Sequence, residues 1–203
     1  MEEPRLEVIV GPMFAGKSTE LIKRIRLYQV AGFETIVFKP KLDNRYCEGH
    51  ITSHDQEKIP AINIENSDEI SKYLNNTNPI IGIDEVQFLD SNIITFCNDY
   101  VNNGGIIITS GLSKDYRDEW FPFSDGIKNI SDLMQTADKL TFLKAICTHQ
   151  FPNGKLCGKL KATRSQRFVN GNIAPYDGKL IEVGGQEAYA PRCREHFQFY
   201  KNS

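Results

Sequence analysis

The chain has 203 residues, 40% hydrophobic and 25% charged, with a formal net charge of −2, close to globular averages that exclude a disordered or fibrous protein. That length holds one ordinary α/β domain plus an appendage, and buries enough surface for a core without disulfides. A pI near 6.1 supplies no basic field of the kind that tracks a phosphate backbone, which disfavours nucleic acid as the main ligand and points to a small substrate.

Met1 to Leu6 is acidic and lacks a basic segment followed by an apolar run. No stretch reaches the roughly 18 apolar residues of a spanning helix. No membrane partner is expected, and the expected compartment is the cytoplasm. The run Leu6-Glu7-Val8-Ile9-Val10 reads as a strand, ends at Gly11, and is followed by apolar residues at helical spacing over Ser18 to Val30. Between them, Gly11-Pro12-Met13-Phe14-Ala15-Gly16-Lys17-Ser18 satisfies the P-loop pattern in the strand-to-helix context that the motif requires. Loop amides would cradle phosphates, Lys17 would reach the β and γ positions, and the Ser18 hydroxyl would ligate Mg²⁺.

Thr35 to Phe38 reads as a second strand. The polar stretch Asp43 to Gln56 holds His50 and His54, which read as solvated loop histidines because nothing couples them to a nucleophile. Ser67 to Leu74 carries helix-start signals, and Ile80 to Ile83 reads as a third strand running into Asp84-Glu85. Open α/β sheets bind ligands at that end of a strand, so Asp84 is the second magnesium anchor and Glu85 a base or water-positioning residue. Ser91 to Val101 reads as a helix and Gly105 to Thr109 as a fourth strand. Near-continuous apolar strands alternating with helices predict a doubly wound parallel sheet covered on both faces. Trp120, Phe121 and Phe123 then cluster as core, or as a platform for a planar base.

Beyond Lys144 the chain becomes loop-rich, with turn signals at Pro152-Asn153-Gly154, Asn170-Gly171-Asn172 and Gly184-Gly185. The expected division is residues 1–144 as the α/β domain and 145–203 as a small unit that needs a staple. Cys147, Cys157, Cys193 and His196 supply soft ligands for zinc, with knuckle spacing at Cys193-x-x-His196. Nine residues separate Cys147 from Cys157, so the first pair is the weaker, and His149 is a rival ligand in that loop. Buried free thiols are the alternative. Cys47 and Cys97 read as core or incidental.

Gly11 to Leu21, Asp84-Glu85-Val86-Gln87-Phe88, and Gly184-Gly185 through Tyr189 to Cys193 and His196 together resemble the tetrameric, zinc-containing thymidine kinases. The resemblance runs from about residue 6 to 197 in the family's order. It implies an α/β fold, a P-loop parallel sheet flanked by helices, with a small C-terminal zinc-bearing β-rich lasso unit. It implies transfer of the γ-phosphate of ATP to the 5′-hydroxyl of thymidine, with Mg²⁺, a structural Zn²⁺, dTTP as a feedback ligand and a homotetrameric assembly.

By the same resemblance Glu85 is the base for the acceptor hydroxyl. The phosphate site takes in Asp43, Asn44 and Arg45, with Asp84, Glu85, Val86 and Gln87 beside it. Leu112, Tyr116 and Phe121 line the thymine pocket, Tyr116 standing where a phenylalanine is common. A lasso of Leu180, Ile181, Glu182, Val183 and Gly184, with Tyr189, closes over the nucleoside. The zinc group maps onto Cys147, Cys157, Cys193 and His196. Two other readings compete with this one: a P-loop ATPase or switch in which Glu85 orients water, and a non-catalytic zinc module that binds nucleic acid.

Overall fold

The computed structural model describes residues 2–41, 49–52, 58–74, 77–181 and 188–199. In chain order, β1 (Arg5–Gly11) leads into α1 (Lys17–Val30), β2 (Thr35–Pro40), β3 (His50–Thr52), β4 (Lys58–Pro60) and β5 (Ile62–Ile64). A 3₁₀ segment, Ser67–Tyr73, precedes β6 (Ile80–Ile83), and a 3₁₀ turn, Val86–Phe88, precedes α2 (Asn92–Asn102) and β7 (Ile106–Leu112). Then come α3 (Ile130–Gln135), β8 (Lys139–Phe142), β9 (Ala145–Ile146), β10 (Leu160–Ala162), β11 (Arg164–Val169), β12 (Asn172–Ile173) and β13 (Tyr189–Arg192).

Six strands form one parallel sheet in the order β5-β2-β6-β7-β1-β8. Side chains alternate faces along a strand, and the apolar runs divide accordingly. Leu6, Val8 and Val10 of β1, Ile81 and Ile83 of β6 and Ile107 of β7 join one core with Ile93, Ile94 and Cys97 of α2. Ile9, Ile80, Ile106 and Ile108 enter the opposite core, packed on Leu21, Ile22 and Ile25 of α1. Cys97, in the α2-side core, is fully buried as an inert thiol whose pKa burial pushes up. Both faces are thus covered, as the unbroken apolar strands predict.

Four elements differ from the sequence reading. Ser67–Tyr73 is a 3₁₀ segment, and Ser67 donates through both its amide (2.7 Å) and its hydroxyl (2.8 Å) to the Asp90 carboxylate. β5 and β8 add outer strands from runs too short or too polar to stand out. His50 lies in β3, half-buried and paired antiparallel with Pro60, instead of in an open loop. His54 and Cys47 fall outside the described residues.

Among the described residues, β9 to β13 form two small sheets, β10-β9 and β12-β11-β13. No helix among the described residues is long and apolar enough to cross a membrane.

Candidate active site and metal centre

The C-terminal ends of β1, β6 and β7 carry the site. Where β1 ends, the chain turns through Phe14 (φ 64°) and Gly16 (φ 77°), both left-handed, before α1 begins. Gly16 tolerates that conformation at no steric cost, whereas Phe14 holds it under strain of the kind that collects at functional sites. Lys17, buried at the start of α1, folds back to donate to the Pro12 carbonyl at 2.9 Å. The Met13 amide donates to the Ser165 hydroxyl of β11 at 2.9 Å, so the phosphate loop is tied to the C-terminal unit.

At the end of β6, Asp84 is buried and accepts from two hydroxyls, Ser18 at 2.9 Å and Ser110 of β7. Glu85 follows in a left-handed conformation (φ 49°). Gln87 donates to the Glu85 carboxylate at 2.6 Å and accepts from the Leu112 amide at 3.0 Å, fixing Glu85 against the end of β7. Val86 is fully buried in the α2-side core.

Leu112, Tyr116, Phe121 and Tyr189 converge with Met13 in the α2-side core, and Phe14 and Leu180 pack on its edge. Phe88 meets Phe121 edge to face at 5.6 Å. Phe123 is core, whereas Trp120 is exposed and lies under the Lys114 ammonium at 5.5 Å. Ile181 is exposed and stands apart from the cluster. Asp43, Asn44, Arg45, Glu182, Val183 and Gly184 lie outside the described residues. Ser110 and Ser165 are site neighbours that no sequence motif marks, because a serine inside a strand carries no spacing signal.

Cys147, Cys157, Cys193 and His196 bring their ligand atoms within 4.8 Å of one another. The His196 Nδ1 lies 3.3 Å from the Cys193 Sγ and 3.7 Å from the Cys147 Sγ. Tetrahedral zinc with three thiolates and an imidazole separates such atoms by about 3.5–3.8 Å, so this donor set fits the ion. The long loop closes as its turn signal predicts: Phe151 donates to Lys155 (2.8 Å), Gly154 to Phe151 (2.9 Å) and Cys157 to His149 (2.7 Å). His149 is not in the cluster; its ring stacks on His196 with centroids 4.1 Å apart. Cys147 and Cys193 share a buried cluster with Ala145 and Ala162, and Ala15 of the loop after β1 packs on that cluster.

A family model for thymidine kinase matches residues 4–197. The chain is 40% identical over 198 residues to a thymidine kinase of Thermococcus kodakarensis, covering 94% of this chain and 92% of that one. It is 41% identical over 197 residues to the thymidine kinases of Mycoplasma capricolum and Mycoplasma mycoides, covering 95% of this chain and 88% of each of those. With that family model matching nearly the whole chain, and these relatives spanning nearly its whole length, the chain belongs to the thymidine kinase family.

Proposed function

We propose that this protein transfers the γ-phosphoryl group of ATP to the 5′-hydroxyl of thymidine, giving dTMP and ADP. The observation that carries the reading is one juxtaposition. The phosphate loop with Lys17, the acids at the end of β6, and the apolar cluster of Leu112, Tyr116, Phe121 and Tyr189 share a single end of the sheet. Phosphoryl transfer requires positioning and charge stabilisation more than covalent chemistry. The loop amides and Lys17 bind the phosphates. Ser18 and Asp84 are the residues that would hold Mg²⁺, which when bound neutralises charge on the transferring group. Glu85 takes the proton of the 5′-hydroxyl as its oxygen bonds to phosphorus and the bond to the ADP oxygen breaks.

Further assignments implied by the sequence belong to the same reading. Asp43, Asn44 and Arg45 complete the phosphate site, with Arg45 steadying the transferred charge. Leu180, Ile181, Glu182, Val183 and Gly184 form the lasso over the base. Zinc at the Cys₃His centre is structural: four protein ligands leave no open position for chemistry. The division at residues 144 and 145, a homotetramer, dTTP feedback and a cytoplasmic location belong to the same reading.

The test is ADP formation with a panel of nucleosides. Thymidine should stimulate it, deoxyuridine less, and purine nucleosides not at all, because a pocket shaped for one pyrimidine leaves polar groups unpaired with the wrong base. Equal rates across the panel would refute the assignment, and nucleoside-independent ADP release would favour an ATPase.

A further inference from the structure

The Tyr116 hydroxyl sits among three backbone carbonyls of one turn: Gly178 at 2.9 Å, Tyr176 at 3.0 Å and Pro175 at 3.1 Å. A phenol has one proton and can serve one of these acceptors at a time. The turn is closed by its own bond from the Gly178 amide to Pro175 at 3.1 Å. Arg167 of β11 grips the same segment, donating to the Lys179 carbonyl while its guanidinium lies 4.9 Å from the centre of the Tyr116 ring. Leu180, the next residue, packs on the apolar cluster that contains Leu112 and Phe121. Tyr116 is only 6% exposed, so the polar atoms it meets have little water to turn to. Burial raises its phenol above the ordinary value, and the hydroxyl remains a donor through the neutral range. Gly178 provides the room: a methyl there would approach the Pro175 carbonyl oxygen to 3.1 Å and the Tyr116 oxygen to 3.2 Å.

We propose that Tyr116 is a positioning residue whose hydroxyl fixes the Pro175–Gly178 turn and thereby sets Leu180 against the nucleoside pocket. The inference rests on the nucleoside reading of that pocket. It separates two roles in one side chain: the ring fills the cluster, and the oxygen holds the turn that leads into the pocket wall.

Tyr116→Phe keeps the ring and removes only the tie. The Michaelis constant for thymidine should rise roughly three- to tenfold, the equivalent of one hydrogen bond, with kcat and the constant for ATP within about twofold of wild type. An unchanged constant for thymidine overturns the proposal, as does a parallel rise for ATP. Amide exchange across Tyr176 to Ile181 in the nucleoside-free protein should quicken by a similar factor. No change there overturns the tie itself, and because this measurement needs no nucleoside, it separates failure of the tie from failure of the substrate assignment.

Discussion

The Ser18 hydroxyl donates to the Asp84 carboxylate at 2.9 Å, joining the first turn of α1 to the end of β6. The other oxygen of the same carboxylate receives the Ser110 hydroxyl, so both sides of Asp84 are held and its direction is fixed. Two oxygen donors on different elements, aimed at one point beside a phosphate loop, form the kind of anchor that Mg²⁺ takes in nucleotide sites.

Asp84→Asn preserves the shape and removes the charge. The loss should be about 10²-fold or more in kcat/KM, the scale for deleting one positioned electrostatic group, and the Mg²⁺ concentration for half-maximal rate should rise. A variant within tenfold of wild type, with unchanged Mg²⁺ dependence, would remove Asp84 from the metal-nucleotide site.

The metal centre makes a separate prediction about its fourth ligand. Purified protein should carry about one zinc per chain, because four soft donors suit a closed tetrahedral site. Cys193→Ser and Cys157→Ser should each lose most of the metal and lower the melting temperature. His149→Ala, which removes only a ring stacked on His196, should retain it. Metal analysis of the three variants decides, and the opposite pattern for Cys157 and His149 would exchange their roles.

Much of this architecture was legible because its signals are local. The phosphate loop is one contiguous motif, and the buried strands announce themselves as apolar runs. The Cys147 to Cys157 loop, too long for a usual knuckle, was resolved by a turn at Pro152-Asn153-Gly154 that could be read but whose closure only coordinates show. What stayed hidden depends on contacts distant in sequence. Ser165 meets Met13 across 152 positions, and the Tyr116 oxygen meets a turn about sixty residues away. Residue type alone does not announce such pairings. β8 was missed because its Lys139, Leu140 and Phe142 lie exposed at the sheet edge, which leaves no buried pattern to detect.

Glu7 should govern part of the acid limit of stability. It is buried in β1 between Arg5 (2.8 Å) and Arg24 (2.7 Å), with Lys139 at 3.4 Å. Burial opposes its ionisation, but the Arg5 hydrogen bond and the charges of Lys139 and Arg24 outweigh it and hold the carboxyl below its ordinary value of 4.5. A carboxyl lowered in the folded state contributes fully above pH 4.5, and that contribution is lost as pH falls below it. Glu7→Gln should cost about 2 kcal/mol at neutral pH, under the about 3–5 of a fully buried pair because Arg5 and Lys139 reach solvent. The difference in melting temperature between the two proteins should shrink as pH falls below 4.5. A difference independent of pH would show that the loss comes from packing instead of charge.

Glu85 and Lys17 should fail in different ways. Glu85 is steered by Gln87 at 2.6 Å and stands next to the Asp84 anchor, whereas Lys17 belongs to the phosphate loop itself. Losing a positioned base costs typically about 10²–10⁴ in rate, while nucleotide affinity depends on the loop amides, Lys17 and Ser18. Glu85→Gln should therefore lower kcat strongly and leave ATP affinity nearly intact. Lys17→Ala should damage both, because it removes a contact made in the ground state as well as in the transition state. Gln87→Ala supplies the intermediate case: it releases the Glu85 carboxylate and the Leu112 amide without removing either acid, so kcat should fall less than in Glu85→Gln. Steady-state rates with thymidine and an ATP titration on folded variants make the comparison. If Glu85→Gln keeps more than roughly a tenth of the wild-type kcat, well above what loss of a base allows, then Glu85 only positions ligands and the proton must go elsewhere, with Asp43 the first residue to test.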